Sequence, residues 1–330
     1  MTEQKVRWGI LGLGGIAAKF AADLPLVPGA ELAAVGSRNQ ETAVAFAERF
    51  GFARAHGSYA DLAADPDIDV VYIATPHAFH AEAALLCIEA GKSVLVEKPI
   101  TLDLPSAAQL VAAARDKGVF LMEAMWMRLN PAIRKIAELV EGGAIGWVSA
   151  IHADFGVQGP FDAEHRLRNP KLGGGALLDL GVYPINFAHL IMGAPVSVQA
   201  WAHLTPERVD ETTGMLFGWE PGAVGALTCS INGESRNNAT ITGTDGRIEL
   251  PAGFFVPRSF VLHRPDRAPE TFDFDFPGSG YQFEAAEVQR CLRAGELESP
   301  LIPHATTLEI MALLDTIREE IGVGYASPAR

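Results

Sequence analysis

The 330-residue chain carries 40 acidic against 26 basic residues, a net charge of −14, with 48% hydrophobic and 20% charged residues. This is the balance of an ordinary globular protein, and the length predicts two domains rather than one core. The acidic surplus argues against nucleic acid and anionic membrane surfaces as partners, while leaving room for a small anionic ligand in a locally positive pocket.

Over residues 1–123 strand and helix signals alternate. Val6–Leu11 reads as a strand, Gly15–Leu24 as a helix and Ala30–Val35 as a strand. Gln40–Phe50 is a helix, Val70–Ala74 an uninterrupted apolar strand, and Ala78–Ala90 a helix stopped by Gly91. Ser93–Val96, Leu104–Lys117 and Val119–Met122 continue as strand, helix and strand. Such alternation predicts βαβ units and a doubly wound parallel sheet of Rossmann type, an α/β fold. In 124–330 the rhythm changes. Pro131–Glu141 is helical, Val148–Phe155 alternates like a strand with one wet face, and Asp179–Ile191 is a helix. Residues 196–276 read as strands joined by Gly, Pro and Asp-Gly turns, with a hairpin at Thr244-Asp245-Gly246-Arg247. Phe283–Leu292 and Ala305–Ile321 are helices. The second region, 124–330, is therefore an α+β domain with an open, largely antiparallel sheet, and its helix over 305–321 is a candidate to pack back on the first domain.

No apolar run of spanning length is evident, and Met1 to Arg7 leads into a strand rather than a signal peptide. Cys87, Cys229 and Cys291 are widely spaced, odd in number and outside any CxxC pair. That usage predicts reduced thiols, a cytoplasmic location and no zinc site.

Between the first strand and first helix stands Gly12-Leu13-Gly14-Gly15-Ile16-Ala17, a G-x-G-x-x-A turn. Gly12 permits the tight turn, Gly14 lets the backbone approach a pyrophosphate, and Ala17 allows close helix–strand packing, with Gly15 and Ile16 opening the helix toward the phosphates. The context of strand, turn and helix raises this turn above a lone glycine pattern. After the second strand, Ser37 and Arg38 stand where a ribose-binding acid would select NAD. A planar guanidinium suits a 2′-phosphate, so the reading is NADP, with NAD less favoured. Thr75-Pro76-His77 and His80 follow the third core strand and belong along the nicotinamide half of the cofactor. Two histidines without carboxylate or thiolate partners do not make a metal site.

Two further constellations carry chemistry. Val94-Leu95-Val96 runs into Glu97-Lys98-Pro99, which places two opposite charges and a proline at the carboxyl end of a buried strand, where open α/β sheets bind ligands. Read alone, Glu97 and Lys98 form an ion pair at a turn. The second is Gly173-Gly174-Gly175-Ala176-Leu177-Leu178-Asp179-Leu180-Gly181-Val182-Tyr183-Pro184, a glycine run entering a helix, with Asp179 and Tyr183 four apart on one helical face. Asp179 alone could cap the helix; with Lys98 and the glycine turn it makes a Lys–Asp–Tyr proton-transfer set.

Together GLGGIA, VEKP and GGGALLDLGVYP resemble the Gfo/Idh/MocA oxidoreductase family over essentially the whole chain. Met122-Glu123-Ala124-Met125-Trp126-Met127-Arg128 and Ala153-Asp154-Phe155-Gly156 are similar to its dimeric dihydrodiol dehydrogenase and NADP-dependent xylose dehydrogenase branch. The resemblance implies a catalytic Lys98, a substrate pocket lined by Asp179 and Tyr183, and a homodimer. Tyrosine at 183, where many relatives carry histidine, fits the dihydrodiol and sugar branch. The expected reaction is hydride transfer between NADP and a carbinol of a sugar, polyol or trans-dihydrodiol. Tyr183 is the preferred base, with its pKa lowered by Lys98, and Lys98 as direct base is the alternative. Asp179 orients the substrate hydroxyl. Trp126, Arg128, Phe155, Arg166 and Tyr281 are candidates to shape the pocket or to pack the core. A non-catalytic NADP(H)-binding regulator and an NAD-dependent glycosidase of the same fold are the competing functions.

Overall fold

The computed structural model describes residues 5–325, which group into two compact units. The first holds the chain up to Trp126 together with Pro277–Leu308. Its elements are β1 (Val6–Leu11), α1 (Gly15–Asp23), β2 (Ala30–Gly36), α2 (Gln40–Phe50), β3 (Arg54–His56), α3 (Tyr59–Ala64), β4 (Val70–Ile73), α4 (His80–Glu89), β5 (Ser93–Glu97), α5 (Leu104–Lys117) and β6 (Leu121–Ala124). The strands form one parallel sheet in the order β3-β2-β1-β4-β5-β6, so successive crossovers run outward in opposite directions from β1 and β4. That reversal is the topological switch point at which doubly wound sheets hold a dinucleotide. The fully buried Val70-Val71-Tyr72-Ile73 of β4 shows why the central strands read as unbroken apolar runs: helices cover both faces. The short β3 and α3 were not evident in the sequence. Three residues of strand and six of helix are too brief for either periodicity to register.

The second unit is Met127–Phe276 together with the chain from Glu309 onward. It contains α6 (Pro131–Glu141), β7 (Val148–Gly156), α7 (Val182–Met192), β8 (Ser197–Leu204), β9 (Asp210–Trp219), β10 (Ala223–Ser230), β11 (Ala239–Gly243), β12 (Arg247–Leu250), β13 (Ser259–His263) and β14 (Glu270–Asp273). Its eight strands lie in the order β14-β13-β12-β11-β7-β10-β9-β8, antiparallel except for the β7–β10 pair. The Asp-Gly turn joins β11 to β12 as the sequence indicated. In β10, Ala223, Gly225, Leu227 and Cys229 are buried, whereas Val224 and Thr228 are exposed, the alternation of a sheet with one covered face.

The remaining helices, α8 (Gln282–Ala294) and α9 (His304–Ile321), revise the sequence-based partition at residue 123. Segment 277–308 groups with the first unit. The buried Asp23 carboxylate accepts the backbone N–H groups of Ser279 (2.8 Å) and Tyr281 (3.1 Å) at the entrance to α8, 256 and 258 residues away. Leu121 N–H donates to the Leu297 carbonyl (3.1 Å), and the Thr307 hydroxyl donates to Glu123 (3.2 Å). These bonds join residues far apart in sequence, which no local pattern reveals. Of α9, the first turn belongs to this unit and the rest, from Glu309, to the second.

One reading on membrane spans is also revised. The helical run Pro170–Met192 is 23 residues long and apolar enough to cross a membrane by length and composition, although 83% of its apolar window is buried in the protein. Lys171 and Asp179 interrupt the apolar run in the sequence, and the helical backbone itself opens at residues 173–175, between a 3-10 turn at Pro170–Leu172 and the π turn that starts at Leu177.

Candidate active site

The dinucleotide turn is built from close approach on one side and open space on the other. Gly12 has φ +87°, and a Cβ there would stand 2.8 Å from the Thr75 nitrogen and 2.9 Å from the Ala74 carbonyl. Only glycine lets β1 and β4 end this close together. A Cβ on Gly14 or Gly15 would meet nothing within 4 Å. Gly14 caps α1 without a side-chain hydrogen bond, so the helix presents its first N–H groups outward. Ala17 is fully buried, and Ile16 is half-buried at the same helix start. The Thr75 hydroxyl is buried and has no hydrogen-bond partner among the described residues. An uncapped helix N-terminus, an open glycine surface and an unpaired hydroxyl fit a dinucleotide diphosphate. At the end of β2, the Ser37 hydroxyl accepts the Asn39 N–H (3.2 Å), and Arg38 is exposed near Tyr59.

His80 connects this cradle to the strand-end lysine. Its ring is fully buried, with Nε2 2.8 Å from the Thr75 carbonyl and Nδ1 2.8 Å from the Pro99 carbonyl. It therefore pins the loop after β4 to the loop after β5 and has no nitrogen left for a cofactor. Burial, reinforced by His77 and Lys98, holds its pKa down at about 3 against the two carbonyls. The neutral ring donates to one carbonyl at a time. His77 stands edge-on to it, ring centroids 5.6 Å apart, in a short 3-10 turn that Pro76 precedes.

At the end of β5, Glu97 and Lys98 are both buried. The Glu97 carboxylate accepts the Tyr72 hydroxyl and the Lys98 backbone N–H (3.2 Å), so it is bound by the neighbouring strand and by the residue that follows it. Burial and Glu97 hold Tyr72 well above its ordinary range, which keeps it a donor. Glu284 of α8 is fully buried with neither oxygen hydrogen-bonded among the described residues. Burial, Glu97 and Asp23 push it toward the neutral acid. At the end of β6, Glu123 accepts the Ile100 N–H (3.1 Å), which steadies the chain just past Lys98. Trp126 and Tyr281 are buried and stacked on each other at 4.4 Å, so most of each ring is spent on packing within this unit.

The second unit gathers the other candidates. Leu177–Gly181 is a π turn that continues into α7, rather than the regular α-helix from Asp179 that the spacing suggested. Widened turns of this kind recur at functional sites, and here one carries Asp179. Asp179, 7% exposed, is held by a bidentate pair from Arg166, at 2.9 and 3.2 Å. Phe155 lies 5.5 Å from Tyr183 and stacks at 4.4 Å on Phe255, which lies 5.3 Å from Tyr183. Phe255 was missed in the sequence; the adjacent aromatics Phe254 and Phe255 in a loop were its only signal. Arg128 is buried, and its guanidinium reaches the Asn186 amide oxygen of α7 at 3.4 Å, a packing role behind the Tyr183 helix. Among the described residues no group of three or more His, Cys, Asp or Glu is placed to hold a metal ion.

Comparison with known proteins agrees with this architecture. Residues 6–125 match the oxidoreductase family with an NAD-binding Rossmann fold, and residues 133–249 match the GFO/IDH/MocA C-terminal domain. The chain belongs to the Gfo/Idh/MocA oxidoreductase family. It is 38% identical to trans-1,2-dihydrobenzene-1,2-diol dehydrogenase of Mus musculus over 98% of this chain and 99% of that one. A 3-ketoreductase from Actinomadura kijaniata, crystallised with NADP and TDP-benzene, superposes with TM-score 0.87 at 30% identity, over 96% of this chain and 98% of that one. A levoglucosan dehydrogenase, complexed with NADH and levoglucosan, shares the fold at TM-score 0.87 and 24% identity, over 97% and 98% of the two chains.

The buried neutral His80 makes a testable demand on stability. Its folded pKa is depressed, so an unfolded chain takes up a proton below about pH 6.5 that the folded chain refuses until about pH 3. The contribution of His80 is therefore full above pH ~6.5 and falls by ~1.4 kcal/mol per pH unit as pH decreases toward about 3. His189 and His304 are shifted the same way. Urea titrations of His80→Gln at pH 7 and pH 5 should show a shallower loss than wild type by about one proton's worth. Equal slopes would mean that His80 is not held neutral.

Proposed function

We propose that the protein is a dehydrogenase that oxidises a carbinol of a sugar, polyol or trans-dihydrodiol with NADP. The observation that carries this reading is Lys98, a buried cation at the carboxyl end of β5, pinned through Pro99 and His80 to the loop that flanks the dinucleotide turn. NADP, when bound, supplies the hydride acceptor. Gly12, Gly14, Gly15, Ile16 and Ala17 would hold its pyrophosphate, Ser37 and Arg38 its 2′-phosphate, and Thr75, Pro76 and His77 its nicotinamide half. As the substrate carbon gives up hydride, the hydroxyl proton is assigned to Tyr183 as general base, with Lys98 the alternative acceptor. Asp179, held by Arg166, orients a substrate hydroxyl, and Phe155 and Phe255 offer an aromatic wall to the ring. The similarity to a dihydrodiol dehydrogenase and to an NADP-bound ketoreductase supports this choice of chemistry. The free and buried Cys87, Cys229 and Cys291 accord with a reducing, cytoplasmic setting.

The reading also includes a homodimer formed through the open face of the eight-stranded sheet. Trp201, Leu216 and Val224 are 74%, 52% and 49% exposed on β8, β9 and β10. Leu216 pairs in register with Gln199 and Ala226, so these side chains share one face. Apolar exposure of this kind on a single face suits a second copy of the same surface.

Three measurements test these statements. Purified protein with NADP and a panel of sugars and diols should generate the NADPH absorbance band, and Lys98→Met and Tyr183→Phe should each lower kcat by about 10²–10⁴. Near-wild-type kcat in Lys98→Met would defeat the assignment. Titrations should give a Kd for NADP at least about tenfold below that for NAD, a preference that Arg38→Ala erases; tighter NAD binding would reverse the cofactor choice. Light scattering should give twice the chain mass for wild type and the single mass for Trp201→Glu/Val224→Glu, whereas a monomeric wild type would rule the dimer out.

A further inference from the structure

The π turn that carries Asp179 is held from below by a carboxylate that the reaction does not use. Asp210, the first residue of β9, is fully buried. Its Oδ2 accepts the Leu177 N–H, at the first residue of the turn (2.7 Å), and the Thr213 hydroxyl (2.9 Å). Its Oδ1 has no hydrogen-bond partner among the described residues. That oxygen fills the space beside Gly175, where φ is +122° and a Cβ would stand 2.2 Å from it. The neighbouring Gly174 carbonyl accepts the Tyr325 hydroxyl. At the far end of the turn a Cβ on Gly181 would lie 2.9 Å from Cys229 Sγ. The glycine run is therefore shaped to the Asp210 carboxylate, and the turn is gripped at Leu177 and at Gly181.

We propose that Asp210 is a positioning residue of the active site: its buried carboxyl group fixes the glycine run and the Leu177–Gly181 turn, and ionisation of Asp210 loosens the placement of Asp179. This rests on the function proposed above for Asp179. The groups that face Asp210 leave it as the member that titrates near neutrality. Cys229 of β10 is pushed well up by burial and by Asp210, and stays a thiol. Tyr325 is likewise raised by burial and by Asp210, and stays a phenol, with Arg318 of α9 over its ring at 5.3 Å. Burial pushes the Asp210 carboxyl up to about 7, against the Thr213 hydroxyl and the Leu177 and Ala176 N–H groups, which favour the anion. Because the fold raises this carboxyl, it gains from its protonation: the hold is strongest at low pH and weakens as pH rises through about 7.

The test uses the full chain and two readouts. Hydrogen exchange over residues 173–181, corrected for the intrinsic pH dependence of exchange, should gain protection about tenfold between pH 8 and pH 6 in wild type. It should show no such transition in Asp210→Asn, which keeps an acceptor but cannot ionise. Thr213→Val removes a hydrogen bond to the anion and should move the midpoint to higher pH. In carbinol oxidation the same midpoint should appear in KM, with Kd for NADP unchanged by either variant. A transition that persists in Asp210→Asn, or a midpoint that stays put in Thr213→Val, overturns the proposal; the second variant decides if the first fails to fold. The exchange arm needs no turnover, so a protein without carbinol activity would refute the dehydrogenase reading while leaving the role of Asp210 in the turn still measurable.

Discussion

The first unit is organised by the need to satisfy a carboxylate buried at the end of a central parallel strand. Glu97 ends β5 where both faces of the sheet are covered, so water cannot solvate it. An unpaired charge there would cost several kcal/mol. The protein meets that demand with the Tyr72 hydroxyl from β4 and the backbone N–H of Lys98. It also keeps the adjacent acid, Glu284, toward its neutral form, which avoids a second buried negative charge beside Glu97. Because Tyr72 belongs to the neighbouring strand, this arrangement requires the β4–β5 register, in which Tyr72 pairs with Leu95.

The same economy of loop anchoring recurs around the sheet's carboxyl edge. His80 ties the loop after β4 to Pro99, and Glu123 ties Ile100 to Thr307. Each is a buried polar group whose bonds go to backbone or to an element distant in sequence. Such groups give a loop one conformation instead of many, which is what a site made of loops on a rigid sheet needs. In the second unit Asp210 does this for the glycine run, and Arg166 does it for Asp179.

Much of this was legible in the sequence. The strand–helix alternation marked the parallel sheet, and GLGGIA marked the turn at its switch point, because both depend on residues close together in the chain. The strand-end Glu97-Lys98-Pro99 and the glycine run before Asp179 were visible for the same reason: charges and glycines interrupt apolar patterns. What was hidden involves partners far apart in sequence or very short elements. The stack of Trp126 on Tyr281, the wall that Phe255 adds to Phe155 and Tyr183, and the anchoring of α8 by Asp23 leave no local periodicity.

By itself, the order of residues determined the class of the fold, the dinucleotide turn and the candidate proton-handling side chains, since these follow from short-range backbone sterics and from charge placed at strand ends. Tertiary structure decided what each of those side chains is bonded to. It sent segment 277–308 to the first unit, turned the start of the Asp179 helix into a π turn, and converted His80 from a cofactor contact into a buried brace. The physical reason is desolvation: a buried polar group must find a partner wherever the fold supplies one, and that partner is set by packing rather than by position along the chain.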